Sequence, residues 1–379
     1  MGHSTVNGSQ YGLRPRCRDL GLTIGLLPVG PLNAITDVPG VLVGHSTIVE
    51  GDGPLVPGKG PIRTGVTAVR PHPGNLFKEK VRGAIHVING FGKATGIAQV
   101  QELGVIETPL ILTNTLSIGV AWDALCEYML DQNPDIGVSA GTVNPVVLEC
   151  NDGYLNDIRG RHVRKKHVFS ALEHAGAGPV PEGNVGGGTG MSCLGFKGGI
   201  GTSSRRIESG SDNWTLGVLV MANFGKLEDL LISGIPVGLE LEHDIGVQHP
   251  APPGSIVMVM ATDAPVSDRQ LLRLAKRCQG GLARVGSIFS NGSGDFALAF
   301  STANRVTQAC PSVPIAEYYV RDDSQAMGLL FRACTEAVEE AILNALFAAE
   351  TMKGRDGNTR LGIPIDRVRD ILARHKVLN

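Results

Sequence analysis

The chain is poor in aromatic and charged residues. Aromatic residues make up 4% of its 379 residues, charged residues make up 18%, and the formal net charge is −2. A nucleic-acid-binding surface needs a clustered excess of Lys and Arg, and a disordered chain would be poor in hydrophobic residues, which here reach 42%. We therefore expect a folded protein without a nucleic-acid partner.

Long apolar runs and clustered cysteines are also missing. No stretch approaches the ~20 apolar residues that span a bilayer, so no membrane partner is expected. A basic stretch at 14–18 precedes an apolar run at 20–27, but that run is short and broken by glycines. It has no cleavage site of small residues, so we interpret it as part of the mature chain and not as a signal peptide. The cysteines are odd in number, scattered and without a CxxC pair: Cys17, Cys126, Cys150, Cys193, Cys278, Cys310 and Cys334. This usage favours reduced thiols in a cytoplasmic protein.

Glycine and proline are abundant, with 51 and 22 residues, which indicates many short strands and tight turns. Apolar runs predict strands at 41–43, 66–69, 84–88, 110–112, 137–141, 146–148, 215–222, 256–261 and 295–300. Helical patterns cover 94–103, 118–130, a segment from 267, 324–353 and 366–375. No internal repeat or polar linker divides the chain, so we expect a single domain of layered α/β or α+β architecture.

Several familiar site patterns are incomplete. The glycine-rich run at 183–190 lacks the Gly-Lys-Ser/Thr of a phosphate loop, so tight turns and close backbone packing are favoured there. His243 and His249 are six residues apart and have no third ligand cluster, which disfavours a metal site. The basic run at 159–167 is interpreted as a solvated face. No metal and no organic cofactor are expected.

The dipeptide Gly254-Ser255 stands in an unusual context. Prolines at 250, 252 and 253 precede it, and six apolar residues follow at 256–261. Gly-Ser also occurs at 8–9, 210–211, 286–287 and 292–293, but only Gly254-Ser255 has a proline-stiffened approach and a long apolar run after it. One interpretation is a buried strand entered from a proline turn.

The other interpretation is self-cleavage. The Ser255 hydroxyl would attack the Gly254 carbonyl, and glycine has no Cβ to obstruct that approach and tolerates unusual φ/ψ values. An N→O shift would give an ester that water opens, leaving Ser255 as a new N-terminus. Its α-amino group, with a reference pKa of about 7.7–8.0, could then act as the base for its own hydroxyl.

Several motifs together resemble one known family, the DmpA-type L-aminopeptidase/D-amidase-esterases, which include the β-peptidyl aminopeptidases. The similarity covers nearly the whole chain and rests on these segments: Asn33–Val41 with Val43-Gly44-His45, Arg63–Thr67, Asn89–Gly92, Glu149–Gly153, Lys197–Arg205, Gly254-Ser255 and Ser293–Asp295. The resemblance implies a four-layer α/β/β/α sandwich like that of N-terminal-nucleophile hydrolases but with different connectivity. It also implies cleavage into chains 1–254 and 255–379 that stay together, a homotetramer of such units, and no cofactor.

The resemblance also implies roles for single residues. Ser255 matches the nucleophile, Asn223 an oxyanion-stabilising amide, and Ser293 a residue that orients the nucleophile. Asp295 stands where some relatives carry Glu. From the residues alone, a strand-end cap is the favoured interpretation of Asn223, and Ser293 and Asp295 are interpreted as turn formers.

Recognition of a substrate's free ammonium would require a carboxylate. Glu149 at the end of the 146–148 strand is the candidate, with Tyr154 in the same pocket. A solvent-exposed salt bridge is the alternative for Glu149.

Three functions are therefore open. The first is a self-processing aminopeptidase that releases N-terminal residues from short peptides, amides and esters: L-amino acids from peptides, and D-Ala from amides and esters. The second is an acyltransferase of the ornithine-acetyltransferase type, which shares self-cleavage but places Thr at the new N-terminus. The third is a glycine-rich binding protein that remains in one piece.

Overall fold

A computed structural model describes residues 14–245, 254–308 and 316–378. The prolines that precede Gly254 and the residue His249 lie outside these ranges. The strands are β1 (Leu42–Glu50), β2 (Ile62–Arg70), β3 (Glu79–Gly90), β4 (Val105–Ile106), β5 (Leu110–Asn114), β6 (Val146–Cys150), β7 (Ser192–Cys193), β8 (Phe196–Lys197), β9 (Gly199–Ser209), β10 (Asp212–Asn223), β11 (Ser255–Thr262), β12 (Gly294–Thr307), β13 (Met352–Lys353) and β14 (Thr359–Arg360).

The helices carry apolar faces that pack on these strands. They are α1 (Ile97–Leu103), α2 (Ile118–Gln132), α3 (Lys165–Glu173), α4 (Val237–Ile245), α5 (Asp268–Ala275), α6 (Cys278–Arg284), α7 (Gln325–Ala348) and α8 (Ile365–Arg374). The Ser324 hydroxyl caps α7 by accepting from the Met327 N–H, and Ser267 caps α5 in the predicted capping box. Within the described ranges, no helix is long and apolar enough to cross a membrane.

Two sheets form the centre of the molecule. The larger has the strand order β4-β3-β12-β11-β10-β9, in which β11 and β12 are parallel and the other neighbours are antiparallel. The smaller has the order β1-β2-β5-β6. The strand that begins at Ser255 therefore lies inside the larger sheet, with hydrogen-bonded neighbours on both sides.

Side chains alternate between the two faces of each sheet, so neighbouring residues of one strand belong to different hydrophobic cores; three of these cores surround the two sheets. Val257 and Val259 of β11 lie in the core between the two sheets, whereas Ile256 and Met258 belong to the core that packs against α7. A third core joins the outer face of the smaller sheet to α2 and α3. The order of layers is helix, sheet, sheet, helix, so the predicted four-layer α/β/β/α sandwich is confirmed.

Most predicted elements are present, and two predictions are wrong. Residues 137–141 form a turn with one bridge, between Ile136 and Ala140, because no neighbouring strand pairs with them. The long helix ends at Ala348 and not at Lys353, since the backbone becomes extended at Ala349 and 352–353 form β13.

The glycine-rich run at 183–190 contributes a short turn that lies between the sheets. The Gly187 N–H donates to Thr67 Oγ1 at 3.0 Å, and all three residues of the 3₁₀ turn at 186–188 are buried. The prediction of close backbone packing is correct for this segment.

The basic and apolar residues near the start of the described chain belong to the fold. Cys17, Leu22 and Ile24 are buried in the core beside α7. The interpretation of this segment as part of the mature chain agrees with this packing.

Candidate active site

Ser255 is the first residue of β11, and the sheet fixes its two neighbours. Because β10 runs antiparallel to β11, its last residue, Asn223, pairs directly with Ser255. Because β12 runs parallel to β11, its first residue, Gly294, pairs with Ser255 from the other side. Three strand ends thus place these residues at one edge of the larger sheet.

The side chains of Ser255 and Asn223 point into the layer between the sheets. Each is two residues from an inter-sheet core residue, Val257 and Met221 respectively, and residues two apart share a face of a strand. Ser255 is 6% exposed and Asn223 is 5% exposed. Both polar groups are therefore held in a site with little access for bulk water.

The Asn223 amide is fixed at both of its ends. Its Nδ2 donates to the Asn151 carbonyl at 3.0 Å, and its Oδ1 accepts from the Ser192 N–H at 2.8 Å. An amide nitrogen has two N–H groups, so one remains for another acceptor. These bonds are compatible with the strand-end interpretation of Asn223. They are equally compatible with a role as an amide N–H donor placed beside Ser255.

Close backbone packing surrounds the Ser255 hydroxyl. The Gly294 N–H donates to Ser255 Oγ at 3.2 Å. A Cβ added to Gly294 would lie 2.5 Å from Gly92 Cα, and one added to Gly254 would lie 1.8 Å from the Asn223 carbonyl oxygen. The glycine at 254 is therefore required by this close approach to the Asn223 carbonyl oxygen.

Ser293 and Asp295 form a pair next to Gly294. Ser293 Oγ donates to Asp295 Oδ1 at 2.5 Å, while the hydrogen bond to Ser255 Oγ comes from the Gly294 N–H. Asp295 is 1% exposed, and its Oδ2 has no partner among the described residues. Burial raises the pKa of Asp295 to about 6, although the bonds from Ser293 and the Ile256 backbone lower it. This carboxyl group can therefore change charge near neutral pH.

Glu149 lies at the end of β6 and is linked to the same edge. It accepts from the Lys93 N–H at 2.8 Å and from the Thr115 hydroxyl. Lys93 follows Gly92, the residue against which Gly294 packs. Glu149 is 2% exposed, and burial raises its pKa, opposed by the bonds from Thr115 and Lys93. The alternative of a solvent-exposed salt bridge is therefore wrong.

Tyr154 reaches the site through a second side chain. The Arg360 guanidinium lies 3.9 Å from the centre of the Tyr154 ring, and Arg360 Nε donates to Ser192 Oγ at 3.1 Å. Ser192 in turn holds Asn223 through its N–H. Tyr154 is thus connected to Asn223 through two intervening residues, Arg360 and Ser192.

Sequence reasoning missed four residues of this cluster. Asn151 and Gly294 lie inside motifs that the sequence presents as candidates, but their partners are visible only in the structure. Ser192 and Arg360 carry no local signal, because they reach the site from β7 and β14. None of the six predicted side-chain positions is remote from the cluster: Ser255, Asn223, Ser293, Asp295, Glu149 and Tyr154.

A metal site has no support in the described part of the chain, where no three His, Cys, Asp or Glu residues cluster. What the edge does contain is a buried hydroxyl, an amide N–H donor, a backbone N–H and two carboxyl groups. This set suits acyl transfer through a serine hydroxyl.

The comparison with family models gives one match that covers most of the chain. The model of peptidase family S58 matches residues 33–360. The chain belongs to peptidase family S58. Among curated S58 relatives, the beta-peptidyl aminopeptidase BapA of Sphingosinicella microcystinivorans is 44% identical over 377 residues, covering 96% of this chain and 93% of the relative.

Solved structures extend the likeness to the fold. The PH0078 protein from Pyrococcus horikoshii OT3 is 52% identical with a TM-score of 0.91, covering 96% of this chain and 99% of that one. The L-aminopeptidase D-Ala-esterase/amidase of Ochrobactrum anthropi is 40% identical with a TM-score of 0.88, covering 97% and 100%. The latter is described as a prototype of the serine aminopeptidases and a new variant of the Ntn hydrolase fold.

These findings establish the class of this S58 protein. It is an enzyme, an aminopeptidase with an Ntn-type fold, and the predicted family is confirmed. The comparisons favour neither the acyltransferase nor the binding protein that the sequence left open.

Proposed function

We propose that this aminopeptidase cleaves its own chain between Gly254 and Ser255 and then uses Ser255 as an N-terminal nucleophile. The observation that carries the proposal is the position of Ser255, at the first residue of a central strand between Asn223 and the Gly294 N–H. Self-processing of this kind is consistent with the family and with its serine aminopeptidase prototype.

The first step makes the mature enzyme. Ser255 Oγ attacks the Gly254 carbonyl carbon, the C–N bond breaks as the acyl group moves to oxygen, and the nitrogen takes up a proton as the amine. Water then opens the ester to give a Gly254 carboxylate and a free Ser255 hydroxyl. The products are chains of 254 and 125 residues, 379 less 254.

The second step is the peptidase reaction. The Ser255 α-amino group takes the proton of Oγ as it attacks the carbonyl of the substrate's first residue. The Asn223 Nδ2–H stabilises the oxyanion, and the leaving amine receives the proton. Water then attacks the ester of the acyl-enzyme, and the same groups act in reverse order to release the acyl group and restore the Ser255 hydroxyl. The Ser293–Asp295 pair flanks Gly294, whose N–H donates to Ser255 Oγ, and helps to position that hydroxyl.

Substrate recognition depends on Glu149. Its buried carboxylate lies near the edge of the larger sheet that holds Ser255, where the substrate's ammonium group would bind. Tyr154 and Arg360 would line the adjacent side of the substrate pocket. The substrates proposed are short peptides, amides and esters with a free amino terminus, with release of L-amino acids from peptides and of D-Ala from amides and esters. Both groups follow the name of the Ochrobactrum L-aminopeptidase D-Ala-esterase/amidase, and the names of the curated relatives support aminopeptidase action on peptides.

N-terminal sequencing of the purified enzyme tests the proposal. A second terminus reading Ser-Ile-Val-Met is expected, with two bands on a denaturing gel. A single, fully active chain that is continuous across 254 and 255 would refute the proposal.

The assembly and location are part of the proposal. Both chains are expected to remain in one unit, and four units of 39.8 kDa each to form a homotetramer, in which exposed apolar residues such as Leu26, Val138 and Tyr318 would be covered. Light scattering after size exclusion would give four times 39.8 kDa. The free cysteines of the described chain support a reducing, cytoplasmic location, which cell fractionation would test.

A further inference from the structure

The segment 91–93 follows β3 and connects two parts of the candidate site. The Phe91 N–H donates to the Ser293 carbonyl at 3.3 Å, which anchors one end of the segment beside the start of β12. The Lys93 N–H donates to Glu149 Oε1 at 2.8 Å, which anchors the other end at the proposed ammonium site. The direction from Lys93 to Phe91 therefore leads away from Glu149.

Gly92, in the middle of this segment, lies against the nucleophile. A Cβ added to Gly294 would be 2.5 Å from Gly92 Cα and 3.3 Å from Ser255 Oγ. Gly92 Cα and the hydroxyl oxygen are therefore no farther apart than the sum of these two distances. The order along the segment is ammonium site, nucleophile and then Phe91. A peptide substrate has the same order of free amino group, scissile carbonyl and second residue, so Phe91 lies on the side of the leaving residue.

The Phe91 ring is exposed, although its backbone is held at the site. The residue is 65% exposed, and the Lys93 ammonium lies 5.6 Å from the centre of the ring. Covering an aromatic ring with an apolar group removes both surfaces from water, which favours binding. At this place the ring can pack against the side chain of a substrate's second residue.

The Lys93 ammonium has no carboxylate partner in the described part of the chain. Its Nζ donates to the Phe91 carbonyl at 3.4 Å, which is a neutral acceptor. Glu149 accepts from the backbone N–H of Lys93 and not from the ammonium. Because Nζ contacts Phe91, the side chain folds back along the segment. Its positive charge therefore lies on the leaving-residue side together with the ring.

The length of a dipeptide fits these positions. In an extended dipeptide the amino nitrogen and the carboxylate are ~6–7 Å apart. Lys93 Nζ reaches at most ~6 Å from its own Cα, and the N–H of the same residue bonds Glu149. A dipeptide whose ammonium binds Glu149 can therefore place its carboxylate at Lys93 Nζ, whereas the carboxylate of a longer peptide would lie beyond it.

We propose that the segment 91–93 recognises the second residue of a dipeptide substrate. The Lys93 ammonium binds the free α-carboxylate, and the Phe91 ring packs against an apolar side chain. This inference rests on the proposed function, because it uses Ser255 and Glu149 in the roles given there. It narrows the preferred substrates from short peptides to dipeptides with a free carboxyl end and an apolar second residue.

The carboxylate contact is tested by kcat/KM for L-alanyl-L-leucine divided by kcat/KM for L-alanyl-L-leucinamide, which lacks only the negative charge. Wild-type enzyme should favour the dipeptide ~5-fold, as for the stronger exposed ion pairs. Lys93→Met removes the charge and keeps the backbone N–H, so the ratio should fall to about 1, and Lys93→Glu should reverse the preference. Lys59→Met changes an exposed lysine outside the site and should keep the wild-type ratio.

The ring contact is tested by a second ratio, kcat/KM for L-alanyl-L-leucine divided by kcat/KM for L-alanylglycine. Phe91→Ala should lower this ratio ~5-fold, because the leucine side chain loses its apolar partner. Each ratio compares two substrates of one variant, so a general loss of activity cancels. This matters for Lys93, whose charge also opposes the effect of burial on the pKa of Glu149.

The outcomes separate this proposal from the one on which it rests. Wild-type enzyme that cleaves the dipeptide and its amide equally well would overturn the carboxylate site and leave the proposed function intact. An unchanged first ratio in Lys93→Met, or an unchanged second ratio in Phe91→Ala, would overturn the corresponding contact. Cleavage of none of the three substrates would contradict the proposed function itself, and this inference with it.

Discussion

At the scale of single residues, the proposed reaction depends on the Ser255 hydroxyl and on the α-amino group that cleavage would free. Ser255→Ala removes the attacking oxygen, so we expect a single uncleaved chain without activity, seen as one band on a denaturing gel. Ser287→Ala is the matched control, because Ser287 also follows a glycine and precedes apolar residues. Normal processing of Ser255→Ala, or its loss in Ser287→Ala, would contradict the assignment.

Two variants of Asn223 can distinguish a role as oxyanion donor from a structural role. Asn223→Ala is expected to lower kcat by ~10²-fold or more, as for loss of one oxyanion donor. It also deprives the buried Ser192 N–H of its acceptor, so stability must be measured as well. Asn223→Asp keeps that acceptor, removes the N–H donors and adds a negative charge beside the oxyanion. When measured on cleaved protein, the kcat of Asn223→Asp should fall by a similar factor. Full activity in Asn223→Asp would show that Asn223 acts only as a strand-end cap.

Asp295 is expected to destabilise the folded enzyme at neutral pH. Its pKa is raised from 3.8 to about 6 in the folded state, so its contribution to stability is fully present below pH 3.8 and is lost as the pH rises through 6. Asp295→Asn should therefore raise the free energy of unfolding at pH 8 by up to about 3 kcal/mol, since one pKa unit corresponds to ~1.4 kcal/mol.

The pH dependence distinguishes this effect from simple repacking. The gain in stability from Asp295→Asn, measured by thermal unfolding, should become smaller as the pH is lowered from 7 to 4. The kcat of this variant should fall, because a carboxylate is lost from the site. A stability gain that is the same at pH 4 and pH 8 would show that the ionised carboxylate is not its source.

At the scale of elements, the ends of three strands build the site, and close packing holds them in register. Gly254→Ala would place a Cβ 1.8 Å from the Asn223 carbonyl oxygen, so β10 and β11 must separate at the proposed cleavage point. We expect slower or absent processing, followed by the ratio of the two bands over time. Gly328→Ala, at an exposed helical position with open space around it, should process normally and be slightly more stable.

The elements also show what a sequence can reveal. Buried strands such as β11 and β12 are recognisable because both faces are apolar, and the capping box at Ser267 marks the start of α5. The end of α7 is not recognisable, because its Ala-rich pattern continues past the point where tertiary contacts make the chain extended. Ser192 and Arg360 belong to short strands far apart in the chain, so only the fold brings them to Asn223.

At the scale of the whole molecule, side-chain bonds across the proposed cleavage point join the two parts. Arg205 on β9 is fully buried and bonds Glu336 and Glu340 on α7. Glu340 also accepts from Arg18 and Asn33. Residues of 1–254 thus hold a helix of 255–379, and strand pairing of β11 with β10 adds to this. These contacts would hold the two chains together after the proposed cleavage.

Glu340 is the residue at which this connection can be tested. Glu340→Gln leaves the buried Arg205 without its closest carboxylate, and breaking a buried ion pair costs about 3–5 kcal/mol. Glu240→Gln breaks an exposed pair with Arg374 and should leave the stability nearly unchanged. Denaturant unfolding of both variants gives the two values. If Glu340→Gln unfolds at the same denaturant concentration as Glu240→Gln, strand pairing and apolar packing hold the two chains together without help from this ion pair.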